Sequence, residues 1–148
     1  MTEQARGISL QDALAQLAAL EDYMGRLQAL ITALEQRIER LTEAEDAVQS
    51  LKKDEEVLAG LDGGGEIYFN ARVVDPDRLL VHLGLDLYAF LNREKTLKLI
   101  REERARTARL LDSYRRELVS VAQYYQSLRA AVEQAVEAAR RAGQQGKR

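Results

Sequence analysis

The chain has 148 residues, of which 31% are charged and only 5% are aromatic. A typical soluble domain has about 25% charged residues, so this composition favours long solvated helices over one large compact core. Cysteine is absent, which excludes disulfides and thiolate metal sites. No apolar run of membrane-spanning length and no secretory leader is evident, so the sequence predicts a cytoplasmic protein.

The two ends of the chain differ in the sign of their charge. Residues 1–58 carry 6 basic and 12 acidic side chains, whereas residues 93–148 carry 14 basic and 7 acidic ones. Single surface ion pairs contribute little, but a consistent difference in sign favours one pairing of segments over the alternatives. The two segments are therefore expected to attract each other when they fold side by side.

A heptad pattern begins near the N-terminus. Its apolar positions are separated by alternating steps of three and four residues, which is typical of a coiled-coil seam. These positions are Leu10, Ala13, Leu17, Leu20, Met24, Leu27, Ile31, Leu34, Ile38 and Leu41. A stammer at Ala44 follows, and the pattern then continues to Leu58. We predict a helical arm over residues 1–58, with Ser9 as its N-cap.

Residues 59–92 are the only part of the chain with strand periodicity. Apolar and polar residues alternate on either side of Asp75-Pro76-Asp77, a turn sequence, and Gly63–Gly65 is a second flexible point. We predict two β-hairpins in series, with Val57–Leu61 able to pair back across the glycines. Both faces are apolar, which indicates an assembly surface. The candidate assembly residues are Ile67, Phe69, Val73, Leu79, Val81 and Leu83.

A second heptad arm is predicted over residues 93–142, with Asn92 as its N-cap and a polar tail over residues 143–148. Its seam runs from Leu97 to Ala139 and includes the polar residues Arg104 and Thr107. The fold class is therefore mainly α: an antiparallel two-helix coiled coil whose arms are joined by two β-hairpins. If Leu58 faces Leu97, Arg104 lies near Leu51 and Glu55, and Leu17 lies opposite Ala139.

The end of the arms that carries both termini has more apolar side chains than a two-helix seam requires. Leu14 and Val136 lie off the seam, and Leu30 does so further along the first arm. This excess predicts a binding surface at the tip. Its candidate residues are Ile8, Leu10, Leu14, Leu17, Val132 and Val136.

The sequence offers no catalytic, cofactor-binding or metal-binding residues, and we predict that the chain is not an enzyme. His82 is the only histidine and lies in a predicted strand. The three glycines are not followed by the Gly-Lys-Ser/Thr of a phosphate-binding loop. The arginines of the second arm are spread around the helix among acidic residues, whereas a nucleic-acid surface would form a cleaner stripe.

The central segment resembles the α-type subunit of archaeal prefoldin. The Gly-rich turn before Ile67-Tyr68-Phe69, the Asp75-Pro76-Asp77 turn and the strand end Val81-His82-Leu83-Gly84 are all similar to that family. The family usually continues with Val-Glu-Lys before the second helix, but here the chain reads Leu87–Asn92 without that Glu-Lys pair. No role of those two charges is therefore carried over to this chain.

The resemblance implies a hexamer of two α-type and four β-type subunits, in which the hairpins form an oligomeric β-barrel platform. It also implies an ATP-independent chaperone without cofactors, whose tips bind unfolded polypeptides and deliver them to a group II chaperonin. Two other interpretations of the sequence remain open at this point. The chain could be a coiled-coil interaction scaffold without such binding, or, with less support, a helical-arm nucleic-acid-binding protein.

Overall fold

The computed structural model describes residues 9–147. The elements are, in chain order, α1 (Leu10–Ser50), β1 (Glu56–Gly60), β2 (Tyr68–Arg72), β3 (Leu79–Gly84), β4 (Leu87–Leu91) and α2 (Arg93–Gln145). The predicted fold of two long helices joined by two antiparallel hairpins is confirmed. The chain divides into two units. The distal arm unit comprises residues up to Leu34 and from Leu110 onward, and the base unit comprises Glu35–Arg109.

The N-cap of α1 lies where the sequence predicts it. The Asp12 amide donates to Ser9 Oγ at 3.1 Å, and the Ser9 hydroxyl in turn donates to the Asp12 carboxylate at 2.6 Å. A side-chain acceptor at this position satisfies one of the amides that the first helical turn leaves unpaired.

The first helix ends at Ser50, eight residues before the predicted boundary at 58, so this prediction was wrong. Asp54 takes a positive φ of 63°, which turns the chain out of the helix. The Asp54 amide then donates to the Val73 carbonyl at 2.8 Å, and the Val73 amide donates back to Glu55 at 2.9 Å. Leu58 therefore belongs to β1, because backbone pairing with β2 replaces the last helical turns.

The first hairpin pairs β1 with β2, from Glu56 opposite Arg72 to Gly60 opposite Tyr68. Its loop is organised by the Asp62 carboxylate, which accepts from the Glu66 and Ile67 amides at 3.2 Å. Gly65 in this loop has a φ of 73°, and a Cβ there would lie 2.8 Å from the Tyr68 hydroxyl. Only glycine fits both constraints without strain.

The second hairpin pairs β3 with β4, from Leu79 opposite Leu91 to Gly84 opposite Leu87. Its tight turn places Leu85 and Asp86 at φ values of 48° and 61°, the left-handed pair that such turns require. The preceding turn at Asp75-Pro76-Asp77 is confirmed, since the Asp77 amide donates to Asp75 Oδ1 at 2.9 Å.

The second helix begins as predicted and extends further than predicted. The Lys95 amide donates to Asn92 Oδ1 at 2.8 Å, which confirms Asn92 as the N-cap. The helix continues to Gln145, three residues into the predicted tail. Two threonines are buried in α2, Thr96 and Thr107. The hydroxyl of each donates a hydrogen bond to the backbone carbonyl four residues earlier, at 2.8 Å.

The arms pair antiparallel, but in a register different from the predicted one. In the distal arm unit, Gln16 contacts Tyr124 and Glu21 contacts Tyr125. Leu17 therefore lies about level with Tyr125 and not with Ala139, a difference of about two heptads. The early end of α1 explains the error, because the residues that were predicted to face Leu97 belong to a strand.

The predicted seam positions are nevertheless the ones that pack. Leu27, Ile31 and Leu111 are buried in the distal arm unit, and most other seam residues there are half-buried. Leu10, Ala135 and Ala139 are the exposed exceptions, and all three lie towards the chain ends. A coiled-coil seam therefore forms the core, as the heptads predict.

Candidate binding surfaces

Polar contacts hold the two arms of the distal arm unit together beside the seam. Gln16 Nε2 donates to the Tyr124 hydroxyl at 2.8 Å, and the Tyr23 and Tyr125 hydroxyls donate to the carboxylates of Glu117 and Glu21. The hydrogen bonds to these carboxylates raise the pKa of both Tyr23 and Tyr125. Both hydroxyls are thus tied to the opposite arm.

The tip candidates differ in how far they are exposed. Leu10, Leu14 and Val136 are 47%, 52% and 41% exposed, whereas Leu17 and Val132 are half-buried in the seam. Ile8 lies outside the described residues. The structure therefore leaves three of the predicted apolar side chains available to a partner without any change in the arms.

The base unit contains a charged cluster inside the seam. Glu45 is only 7% exposed and pairs with two arginines of α2, Arg101 at 2.6 Å and Arg104 at 2.5 Å. The sequence predicted Leu51 and Glu55 beside Arg104, and that prediction was wrong. Glu45 lies four residues after Leu41 and three residues before Val48, so the heptad continues without the predicted stammer.

The hydrogen bond from Arg101, together with the charge of Arg104, lowers the pKa of Glu45 in spite of its burial. A carboxylate whose pKa falls on folding stabilises the native state above its ordinary pKa of about 4.5. That contribution is lost as the pH falls through the lowered native value. Removing one partner would instead leave buried charge uncompensated, which is costly.

We therefore expect Glu45→Gln to lower the melting temperature at pH 7. The difference in melting temperature between the variant and wild type should become smaller as the pH falls from 5 to 3. The measurement is thermal unfolding followed by circular dichroism over that pH range. Asp46→Asn, at the exposed neighbouring position, serves as the matched control and should keep the wild-type profile. Parallel profiles for wild type and Glu45→Gln would show that the cluster does not contribute through the Glu45 charge.

Arg93 joins three elements of the base unit. Its guanidinium donates to the Leu51 and Gln49 carbonyls at 2.6 and 3.4 Å, and its Nε lies 3.6 Å from the Asp77 carboxylate. A cation at the C-terminal carbonyls of a helix is favourable for both hydrogen bonding and the helix dipole. Arg93 therefore fixes the end of α1 against the start of α2 and the turn between the hairpins.

The hairpin region, residues 56–91, carries the largest group of exposed apolar side chains. Of the predicted assembly residues, Ile67, Phe69 and Leu83 are exposed, whereas Val73, Leu79 and Val81 are half-buried within the base unit. Val81 lines a groove together with Leu41 and Ile100 of the helices. Val81 therefore faces the helices of its own base unit.

The opposite face of the second hairpin is more exposed than the predicted set. Leu80 and Phe90 pair across the strands and are 59% and 58% exposed, and the Arg78 guanidinium lies 4.2 Å from the Phe90 ring centroid. His82 and Tyr88 form a second pair, with ring centroids 4.8 Å apart. A contiguous apolar face of this kind is a candidate interaction surface.

Two kinds of feature are absent from residues 9–147. No group of three or more His, Cys, Asp or Glu side chains there is arranged to hold a metal ion. No helix of that range is long and apolar enough to cross a lipid bilayer.

The family model described as Prefoldin subunit matches residues 20–138. The chain belongs to the prefoldin family. A protein from Hyperthermus butylicus named prefoldin subunit alpha is 44% identical over 138 residues, covering 93% of this chain and 90% of its own length. Another with that name, from Aeropyrum pernix, is 31% identical over 151 residues and covers 94% of both. The resemblance to α-type archaeal prefoldin subunits is thereby confirmed, and the chain is of a non-enzymatic, chaperone-type family.

Among solved structures, a chain of filamentous PFD from Methanocaldococcus jannaschii, determined by cryo-EM, is 23% identical with a TM-score of 0.49. The similarity covers 82% of this chain and 95% of that chain.

Proposed function

We propose that the chain is a subunit of a cytoplasmic, ATP-independent prefoldin chaperone that binds unfolded polypeptides at the tip of its coiled coil. The observation that carries this proposal is the exposure of Leu10, Leu14 and Val136 towards the end of the arms, where the seam residues Ala135 and Ala139 are exposed as well. An unfolded polypeptide exposes apolar side chains of its own, and mutual burial removes both surfaces from water. No nucleotide is needed for contact of this kind.

In the same proposal, the hairpin region joins the chain to other subunits. Small sheets of two strands are not stable alone, and an apolar face such as that around Leu80 and Phe90 requires another protein surface to bury it. The family suggests β-type prefoldin subunits as that cover, in a hexamer of two α and four β with a barrel built from the hairpins. Several weak tips then act on one unfolded chain through effective concentration. A group II chaperonin is the proposed receiver of the bound polypeptide.

The test is reconstitution with a β-type prefoldin subunit, followed by a mass measurement and a nucleotide-free binding assay with a chemically unfolded polypeptide. We expect a hexameric mass and saturable binding of the unfolded chain, with no binding of the same polypeptide when folded. A complex that assembles but binds no unfolded chain would support an interaction scaffold instead. Binding to nucleic acid that weakens steeply with salt would support the third interpretation.

A further inference from the structure

One side of the distal arm unit presents an apolar patch away from the tip. Gln16 pairs with Tyr124, and one heptad further along both arms Tyr23 pairs with Glu117. One more heptad brings Leu30 of α1 level with Leu110 of α2. We call Tyr23, Leu30, Leu110 and Tyr124 the flank patch. Its members are 39%, 45%, 46% and 47% exposed.

The surface that the flank patch exposes to a partner consists mainly of aliphatic and aromatic groups. The Tyr23 hydroxyl donates to Glu117, and the Tyr124 hydroxyl accepts from Gln16. The Tyr23 hydroxyl is therefore engaged as a donor and the Tyr124 hydroxyl as an acceptor, so the rings are the larger part that remains for a partner. Ser113, Ser120 and Ser127 recur every seven residues on the adjoining face of α2 and add no charge.

The opposite side of the same unit has a different character. At the equivalent heptad positions it carries Glu21, Gln28, Arg115 and Arg129, and towards the tip Leu14 and Val136. Glu21 accepts from Tyr125, and Arg129 pairs with Glu133 at 3.0 Å. The two sides thus differ midway along the arms, because the flank-patch side carries Leu30 and Leu110 where the opposite side carries Gln28 and Arg115, while Glu117 is the charged residue in the row of the flank patch. A pattern required only for pairing the two helices would not need this difference, because the seam residues already supply the core.

The size of the flank patch selects the kind of partner. Four side chains exposed to this degree offer roughly 350 Å² in total, from the areas typical of leucine and tyrosine. A stable protein–protein interface buries about 800 Å² on each partner, so the patch is too small to hold another folded arm. From the Tyr124 level to the Leu110 level the helix rises about 21 Å. An extended segment of about six residues spans that distance.

We propose that the flank patch is a second client-binding site, which takes a short extended segment of an unfolded polypeptide rich in aliphatic and aromatic side chains. This inference rests on the proposed function, because it requires that the assembly binds unfolded chains at all. The patch lies further along the arm than the tip residues, on the side opposite Leu14 and Val136. A bound chain is thereby held at two places on one subunit.

The test uses the reconstituted assembly with the full-length chain, and reduced, alkylated lactalbumin as a permanently unfolded probe. Leu30→Ser combined with Leu110→Ser should raise the Kd for the probe about tenfold, from the apolar area that the two leucines lose. Val119→Ser is the matched control, because Val119 is 57% exposed in α2 but lies outside the flank patch. That control should leave the Kd within twofold of wild type.

A second measurement does not depend on the stability of the serine variants. A photocrosslinking amino acid at position 30 should capture the probe, and the same group at position 119 should not. The flank site would be overturned if the double variant bound the probe with the wild-type Kd and position 30 captured no probe. The proposed function would then still stand, because the wild-type assembly binds the probe. A wild-type assembly that binds no probe would overturn both. A lower assembly mass in the double variant would identify another subunit as the occupant and overturn the client site.

Discussion

Replacing Phe69 and Leu80 together with aspartate should release the chain from its assembly with partner prefoldin subunits. Both side chains are exposed on the strands, at 45% and 59%, so neither is needed for the fold of the base unit itself. Burial of a large apolar side chain contributes about 1.5–3 kcal/mol, and an unpaired carboxylate at the same place costs more than the lost contact. The combined loss exceeds what a multi-subunit complex can absorb without dissociating.

The measurement is the mass of the reconstituted complex by light scattering, with circular dichroism recorded in parallel. We expect a shift to a smaller species while the helical signal stays near the wild-type value, because the seams of α1 and α2 do not include these strands. Val119→Asp is the control, since it places the same charge on an exposed apolar position of α2. An unchanged mass in the Phe69/Leu80 variant would show that this face does not contact other subunits.

The seam could be predicted from the sequence because its physical cause is local and repeated. Ala13, Leu27, Ile31 and Leu111 follow a strict heptad, and they are the buried residues in the described part of the distal arm unit. Asn92 and the Asp75–Asp77 turn could likewise be predicted, since each depends on a side chain that bonds to backbone a few residues away. Local chemistry of this kind leaves a clear mark in the sequence.

The register could not be predicted from the apolar pattern alone. Glu45 occupies a seam position, but the apolar pattern assigns that position to the neighbouring Ala44 because Glu45 is charged. The signal that identifies it is the unbroken spacing from Leu41 to Val48, together with Arg101 and Arg104 on a nearby turn of the other arm. The end of α1 was predicted wrongly for a related reason, since Leu58 fits an apolar position of either a heptad or a strand.

The candidate surfaces were predicted in part. Surplus apolar residues such as Leu14 and Leu30 stand out from the heptads, and both are exposed. Which strand residues attach to the helices of the base unit and which remain free could not be deduced from alternation, because both faces of the strands are apolar. Val81 and Leu80 are adjacent in sequence, yet the first lines a groove beside the helices and the second is 59% exposed.

Replacing Leu10, Leu14 and Val136 with serine should abolish most of the capacity to hold an unfolded chain. Each side chain is about half exposed before any client binds, so serine removes binding surface while the seam residues Leu17 and Val132 remain. Three half-exposed apolar side chains together account for roughly 2 kcal/mol of contact with a client, or about a thirtyfold change in affinity per arm. Binding through several arms enlarges that loss, because each arm contributes to the effective concentration of the next.

The measurement that tests the central claim most directly is suppression of client aggregation, followed by light scattering in the absence of nucleotide. The assembly with wild-type subunits should keep an unfolded client in solution, and so should the assembly with Val119→Ser. The Leu10/Leu14/Val136 variant should incorporate with an unchanged mass but allow the client to aggregate. Full suppression by that assembly, with the variant subunit shown to be incorporated, would contradict the assignment of the tip as the client-binding surface.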